Sequence, residues 1–124
     1  MWANHEINQL NFRIDKVNTK PKIIRMDIRY ELNGTIFIWN TKKAASNRIK
    51  HDGISFEQAS TVFFDPFFRL VEAGRNSEVR DAIIGYDISG LLLFVVHVAT
   101  EGETIRIISA RKATNEERRN HEYS

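Results

Sequence analysis

The stretch IRIISARKAT (105–114) has the apolar pattern of a buried strand, yet it carries three cations, Arg106, Arg111 and Lys112. A charge at an otherwise apolar position is costly unless a partner meets it. That partner is either a carboxylate of the same chain or an anion that binds from outside. Guanidinium groups bind phosphate strongly, so one chemistry that suits these residues is cleavage of RNA by attack of its own 2′-hydroxyl.

Further candidates for this chemistry lie elsewhere in the chain. Arg80 stands near the start of a predicted strand, His97 ends a central strand, and Lys50-His51 ends a predicted helix. Metal-free RNA cleavage requires cations that stabilise a dianionic phosphorane, together with groups that move protons near neutral pH. The arginines, histidines and glutamates of this chain are suited to those two tasks.

Each of these residues also has a purely structural interpretation. An arginine at a sheet edge often pairs with a cross-strand acid, and Glu78, Asp81 and Glu103 are available. A histidine on an apolar strand is more often a core residue than a ligand. Cations at a helix C-terminus are favoured by the helix dipole. The cations that we expect on solvated helix faces are Lys42, Lys43, Arg48, Arg118 and Arg119.

Strand parity bears on whether the two strand arginines act together. Side chains alternate between the faces of a strand, so Arg106 shares a face with Ile108 and Ala110. Arg111 is an odd number of residues away. The sequence therefore predicts opposite faces for the two arginines, unless a bulge or the end of the strand re-aims one of them.

Several other chemistries are excluded. The chain has no cysteine, which rules out thiol nucleophiles and disulfides, and its four histidines lack metal-ligand spacing. No P-loop, dinucleotide-binding glycine motif or serine-hydrolase elbow is present. We therefore expect neither a metal nor a cofactor. The longest apolar run, 91–96, is far too short to span a membrane, and no signal peptide is visible, which fits a cytoplasmic protein.

The net charge of +2 over 124 residues is unevenly distributed. Residues 1–25 hold five basic and two acidic side chains, whereas 26–124 hold 13 basic and 14 acidic ones. Residues 1–25 also lack a sustained hydrophobic period. We expect them to be a disordered extension or an upstream mis-start, with Met26 as an alternative start, and residues 26–124 to form one domain.

Local patterns predict an α+β fold. The dipeptide Asn33-Gly34 between two alternating segments predicts an N-terminal β-hairpin. Two helices follow, capped by Asn40 or Thr41 and by Ser55. A short strand over 67–72 precedes three strands joined by short connections, which indicates an antiparallel meander sheet. A capping box at Thr114 begins a C-terminal helix.

The motifs also carry a family resemblance. The segment FIWNTKKAASNRIKHDGISFEQASTVFFDP, followed by GLLLFVVHV and IRIISARKAT, closely resembles the BrnT toxins of bacterial type II toxin–antitoxin systems. The resemblance runs from about Tyr30 to Tyr123. It implies a compact RelE-like domain that cuts mRNA, on or off the ribosome, and so arrests translation. It also implies a BrnA-like ribbon-helix-helix antitoxin as partner, with operator DNA bound only through that antitoxin.

The resemblance further implies roles for individual residues. It carries the motif positions over to this chain, and charge chemistry then assigns phosphate and transition-state contacts to Arg80, Arg106 and Arg111, with His51 or Glu57 as proton carriers. The residues expected to contact RNA are Lys50, His97 and Lys112. An alternative function from a different class is a non-catalytic module that binds the antitoxin and acts only as a co-repressor of the operon.

Three positions depart from the family pattern. Asn40 stands where the family usually has Asp, Val79 where an acidic residue is common, and His121 where Tyr is usual. An acid or tyrosine at one of these positions is a candidate base in the family, so its loss would weaken this copy. None of the three changes is expected to disturb the fold.

Overall fold

The computed structural model describes residues 26–72 and 81–123. The predicted extension over 1–25, the candidate Arg80 and the departure at Val79 therefore lie outside the described residues. The strands are β1 (Asp27–Leu32), β2 (Thr35–Asn40), β3 (Arg69–Glu72), β4 (Asp81–Tyr86), β5 (Leu92–Thr100) and β6 (Thr104–Lys112). The helices are α1 (Thr41–Lys50), α2 (Phe56–Thr61) and α3 (Asn115–Glu122), and short 3₁₀ turns cover Val62–Phe64 and Glu101–Glu103.

The predicted β-hairpin is confirmed. β1 and β2 pair antiparallel along their whole length, and the turn between them has positive φ at Asn33 (49°) and Gly34 (85°). Two consecutive positive φ values match the right-handed twist of a hairpin and are tolerated best by Asn and Gly. Asn40 then ends β2 and caps α1, because its side chain accepts hydrogen bonds from the backbone N–H groups of Lys42 and Lys43.

The sheet has the order β1-β2-β6-β5-β4-β3. Strands β3 to β6 form the predicted antiparallel meander. The hairpin joins this meander through a short parallel pairing of β2 with β6, which aligns Ile36 with Thr104 and Ile38 with Arg106. The α+β prediction is confirmed, with a mixed six-stranded sheet.

The main core lies between α1, α2 and one face of the sheet. Ser55 caps α2 with the predicted capping box, which aims Phe56 and Ala59 at the strands. Trp39 is 1% exposed and packs edge-to-face against Phe56 at 5.8 Å. Each large apolar side chain buried in this way contributes roughly 1.5–3 kcal/mol. The core strand residues are Phe37, Trp39, Ile83, Leu93, Val95, Ile107 and Ala110.

A β-bulge in β6 changes the direction of the strand arginines. Val96 pairs with Ser109 and His97 pairs with Ile107, so Ile108 is an extra residue between them. The core-facing positions are consequently Ile107 and Ala110, three residues apart rather than two. The prediction of opposite faces allowed for a bulge, and this one places Arg106 and Arg111 on the same face, away from α1 and α2.

His97 is a core residue in this fold. It is 7% exposed, and its ring packs against Phe63 with centroids 4.9 Å apart. Its Nδ1 is buried and has no hydrogen-bond partner within the described ranges. Burial lowers the pKa of His97, although the Val95 backbone and the carboxylate of Asp81 oppose this shift. The structural interpretation of His97 is therefore favoured over RNA contact, because its ring has almost no surface to offer a ligand.

The lowered pKa of His97 predicts a pH dependence of stability. Below the ordinary histidine value of 6.5 the unfolded chain binds a proton at this position before the folded chain does. The free energy of unfolding should therefore fall as pH drops below 6.5, by at most about 1.4 kcal/mol per pH unit from this group. Urea unfolding of wild type and His97→Leu between pH 5 and 8 tests this, and equal slopes in the two proteins would contradict it.

Candidate functional site

The cations of β6 each meet a carboxylate of the same chain. Arg106 donates to both oxygens of Asp27, at 2.8 and 3.4 Å. Arg111 donates to both oxygens of Glu117, at 2.9 and 3.0 Å, and its guanidinium lies 4.3 Å from the centre of the Phe94 ring. Paired guanidinium–carboxylate bonds of this kind are strong and geometrically specific. The two arginines therefore have internal partners.

Lys112, the third cation of this strand, has a weaker partner. Its Nζ lies 3.9 Å from Oδ2 of Asp52, and both side chains are at least half exposed. An exposed pair of this kind contributes about 0–1 kcal/mol. Lys112 can therefore exchange Asp52 for another anion at little cost.

The Arg111–Glu117 pair fixes α3 to the face of the sheet opposite α1 and α2. The hydrogen bond from Arg111 holds the pKa of Glu117 below its usual value, with help from the Thr114 backbone and despite partial burial. The ring of His121 also attaches α3 to the sheet, because its centroid lies 5.6 Å from that of Tyr86. Helix α3 has no buried residue, so these polar and ring contacts carry much of its docking.

Glu57 lies in the first turn of α2, close to β1. Burial of Tyr30 raises the pKa of its hydroxyl, and the charge of Glu57 raises it further. Tyr30 in turn packs 5.4 Å from Trp39. Glu57 does not line the depression that holds His51, so the described residues do not bring these two predicted proton carriers together.

Lys50 and His51 line an open depression beside the bulged part of β6, with a volume of about 430 Å³. Strand β2 ends at Asn40, so among the described residues β6 has no strand neighbour on that side beyond Ile107, and α1 lies there instead. We call this depression the α1 hollow. It is lined by Lys42, Lys43, Ser46, Asn47, Lys50, His51, Ile108 and Ser109.

Asn47 holds the wall of the α1 hollow in place. Its side-chain amide accepts a hydrogen bond from Ala110 N at 3.0 Å and donates one to Ala110 O at 2.9 Å. A third bond, at 3.1 Å, runs from the same amide to Ile54 O. Asn47 thereby acts in place of a missing strand partner for β6, and it ties that strand to the loop that follows His51.

The α1 hollow is strongly electropositive. None of its lining residues is acidic, and across residues 26–72 and 81–123 no ion pair involves Lys42, Lys43, Lys50 or His51. Arg106 and Arg111 are paired with carboxylates, whereas none of the described carboxylates pairs with these helix cations. A concave surface lined by charge of one sign attracts an anionic ligand.

Lys42 and Lys43, which the sequence predicts on a solvated helix face, are exposed in the structure. Both line the α1 hollow with Lys50. The sequence spacing already indicates that Lys42 shares a helix face with Ser46 and Lys50, which lie four and eight positions later. What the sequence did not reveal is that this face meets the bulge of β6.

The departures that the structure describes are compatible with the fold. Asn40 Oδ1 accepts from Lys42 N at 2.8 Å and from Lys43 N at 3.0 Å, so the helix cap survives without a charge. His121 packs against Tyr86, and its Nδ1 is buried without a partner in the described parts of the chain. Neither residue lines the α1 hollow.

No helix among the described residues has the length and apolar character needed to cross a membrane. Nor do residues 26–72 and 81–123 contain a group of three or more His, Asp or Glu side chains placed to hold a metal ion.

Comparisons with known proteins agree with the resemblance seen in the motifs. The profile of the family described as "Ribonuclease toxin, BrnT, of type II toxin-antitoxin system" matches residues 39–117. No curated protein sequence matches the chain. The fold is similar to the 1.1 Å crystal structure of the Brucella abortus ribonuclease toxin BrnT, with 19% sequence identity and a TM-score of 0.50. That match covers 62% of this chain and 94% of the Brucella chain. Because the profile spans more than half of its residues, this chain belongs to the BrnT family of ribonuclease toxins of type II toxin–antitoxin systems.

Proposed function

We propose that this toxin cleaves mRNA without a metal ion and thereby arrests translation, with the α1 hollow as its reaction site. The observation that supports this most is the position of His51 and Lys50 in a concave surface whose cations have no internal counter-ion among the described residues. Histidine is the side chain used most often for general acid–base catalysis, and lysine stabilises phosphate charge. Cytoplasmic mRNA as substrate makes the cytoplasm the proposed location.

The reaction follows from the chemistry of RNA. His51 accepts the proton of a 2′-hydroxyl, whose oxygen attacks the adjacent phosphorus and forms a phosphorane. The bond from phosphorus to the 5′-oxygen then breaks, and that oxygen takes up a proton from water, which leaves a 2′,3′-cyclic phosphate and a 5′-hydroxyl. Lys50 stabilises the charge that builds up on the phosphorane oxygens, a contribution that grows in the transition state.

The candidate residues outside the α1 hollow have other roles in this proposal. Arg106 and Arg111 are held by Asp27 and Glu117, so we propose that they position β1 and α3 in the described conformation. Arg80 remains a candidate for phosphate contact from the family motif. Glu57, away from the α1 hollow, is not needed for the proton transfers above.

Membership of a type II system implies a protein antitoxin. We propose a BrnA-like ribbon-helix-helix protein, which would neutralise the toxin and carry the complex to operator DNA. Support for this partner comes from the family resemblance alone.

Induced expression in bacteria tests the proposed function. Wild type should stop incorporation of labelled amino acids within minutes, and co-expression of the neighbouring antitoxin gene should restore it. The double variant Lys50→Gln/His51→Gln should be harmless at equal protein levels and still bind the antitoxin. Normal growth with abundant folded wild-type protein would overturn the proposal. If such protein also tightened operator binding by the antitoxin, the co-repressor function would replace it.

A further inference from the structure

We propose that Lys42 and Lys43 form a second phosphate-binding position, so that single-stranded RNA lies along α1 with its scissile phosphate at Lys50-His51. This inference rests on the proposed function and deepens it. It assigns a binding role to two lysines whose pattern in the sequence indicated only a solvated face. The ligand class is the ribose-phosphate backbone of RNA.

The geometry of α1 supports an extended binding surface for several phosphates rather than a site for one phosphate. Lys42 and Lys50 are eight residues apart on a ten-residue helix, which corresponds to about 12 Å along its axis. Both line the same hollow, with Ser46 between them. A continuous depression of this length accommodates more than one backbone phosphate of an extended strand.

The position of the two lysines within α1 also supports anion binding. Lys42 and Lys43 occupy the first turn of the helix, which contains no acidic residue. The helix dipole disfavours cations at this end and favours anions. Both lysines therefore work against the stability of α1, and an anion bound by their side chains would offset this cost, although the backbone N–H groups of Lys42 and Lys43 are already capped by Asn40.

The surroundings of the lysines favour RNA over an acidic protein segment. The depression has a polar and basic lining with Ile108 as its one large apolar side chain, and His51 lies at its other end. A backbone that contacts both lysines can therefore present a phosphate to His51 in the same bound state. An acidic antitoxin segment as the ligand of the lysines is the outcome that the experiment below separates from this one.

Binding of an RNA that cannot be cleaved provides the test. The probe is a fluorescent single-stranded oligonucleotide with 2′-O-methyl riboses, titrated with the full chain at several salt concentrations. Lys42→Gln/Lys43→Gln should reduce the slope of log affinity against log salt by about 1.4, since each lost phosphate contact lowers it by roughly 0.7 for single strands. At about 0.1 M salt this corresponds to roughly 25-fold weaker binding.

Arg48→Gln is the matched control, because Arg48 lies on the same helix, is exposed and does not line the α1 hollow. It should leave the salt slope unchanged. The lysine double variant should also keep or raise the melting temperature of wild type, and with cleavable RNA it should raise KM more than it lowers kcat. A loss of binding caused by misfolding would instead lower the melting temperature.

Three results would overturn the inference. In the first, the lysine double variant has the same salt slope as Arg48→Gln. In the second, the double variant loses both RNA affinity and melting temperature. In the third, it loses affinity for the antitoxin but keeps its affinity for RNA. The first and third leave the proposed function standing, provided that wild type cleaves RNA. Wild-type protein that neither binds nor cleaves RNA would remove both proposals together.

Discussion

Replacing His51 with alanine is expected to lower the rate of RNA cleavage by roughly 10²–10⁴-fold, the usual contribution of a general acid or base. His51 is the histidine among the described residues that line the α1 hollow, and histidine is the side chain used most often for general acid–base catalysis. Its loss leaves the surrounding lysines in place, so the affinity for RNA should change little. Initial rates at saturating RNA, measured together with binding of an uncleavable analogue, separate these two effects.

His121→Ala is the control for this prediction. His121 packs on Tyr86 and does not line the α1 hollow, so its removal should leave the cleavage rate unchanged at saturating RNA. If His51→Ala retained the wild-type rate, His51 would not be the proton carrier. A loss of rate in His121→Ala equal to that in His51→Ala would place the chemistry near α3 instead.

Replacing Asn47 with leucine is expected to produce the largest loss of stability among single changes near the site. The substitution leaves Ala110 N–H, Ala110 C=O and Ile54 C=O without their partner at buried positions. A buried polar group without a partner costs roughly 1–3 kcal/mol. The free energy of unfolding from urea titration should fall by several such increments, and cleavage should fall further than the folded fraction does.

Arg48→Leu is the matched change for Asn47→Leu, since it introduces the same side chain one residue later at an exposed position. It should shift the free energy of unfolding by no more than about 0.5 kcal/mol. Equal stabilities of the two variants would mean that the Asn47 hydrogen bonds are replaced by solvent. The described role of Asn47 at the edge of β6 would then be wrong.

Much of the fold was predictable because its signals are local. The Asn33-Gly34 turn predicted the hairpin, and the capping boxes at Ser55 and Thr114 predicted the starts of α2 and α3. The parallel pairing of β2 with β6 was not predictable. It joins residues nearly 70 positions apart and is set by packing of the whole core rather than by any local pattern.

The candidate site was only partly predictable, for a related reason. Lys50 and His51 came from a motif and do line a common depression. Arg106 and Arg111 were equally strong candidates, because a cation on an apolar strand has the same sequence pattern whether its partner is internal or external. Their partners, Asp27 and Glu117, lie 79 and 6 residues away and are defined only by the folded sheet and α3.

The bulge at Ile108 is the feature that sequence reasoning could least anticipate. The segment IRIISAR alternates except at the Ile107-Ile108 pair, and two adjacent apolar residues fit an unbroken strand covered on both faces as well as they fit a bulge. Yet the bulge sets the face of both arginines and places Ile108 and Ser109 in the wall of the α1 hollow. Bulges are frequent beside functional sites, where they re-aim side chains.

The central claim is metal-independent scission at the α1 hollow, and the chemical nature of the product ends tests it most directly. Purified full-length protein, treated with EDTA and then incubated with a defined RNA in EDTA, should yield fragments with 2′,3′-cyclic phosphate and 5′-hydroxyl ends. Lys50→Gln/His51→Gln should yield none. Intact RNA after incubation with folded wild-type protein, or cleavage that appears only when a divalent cation is added, would contradict the account.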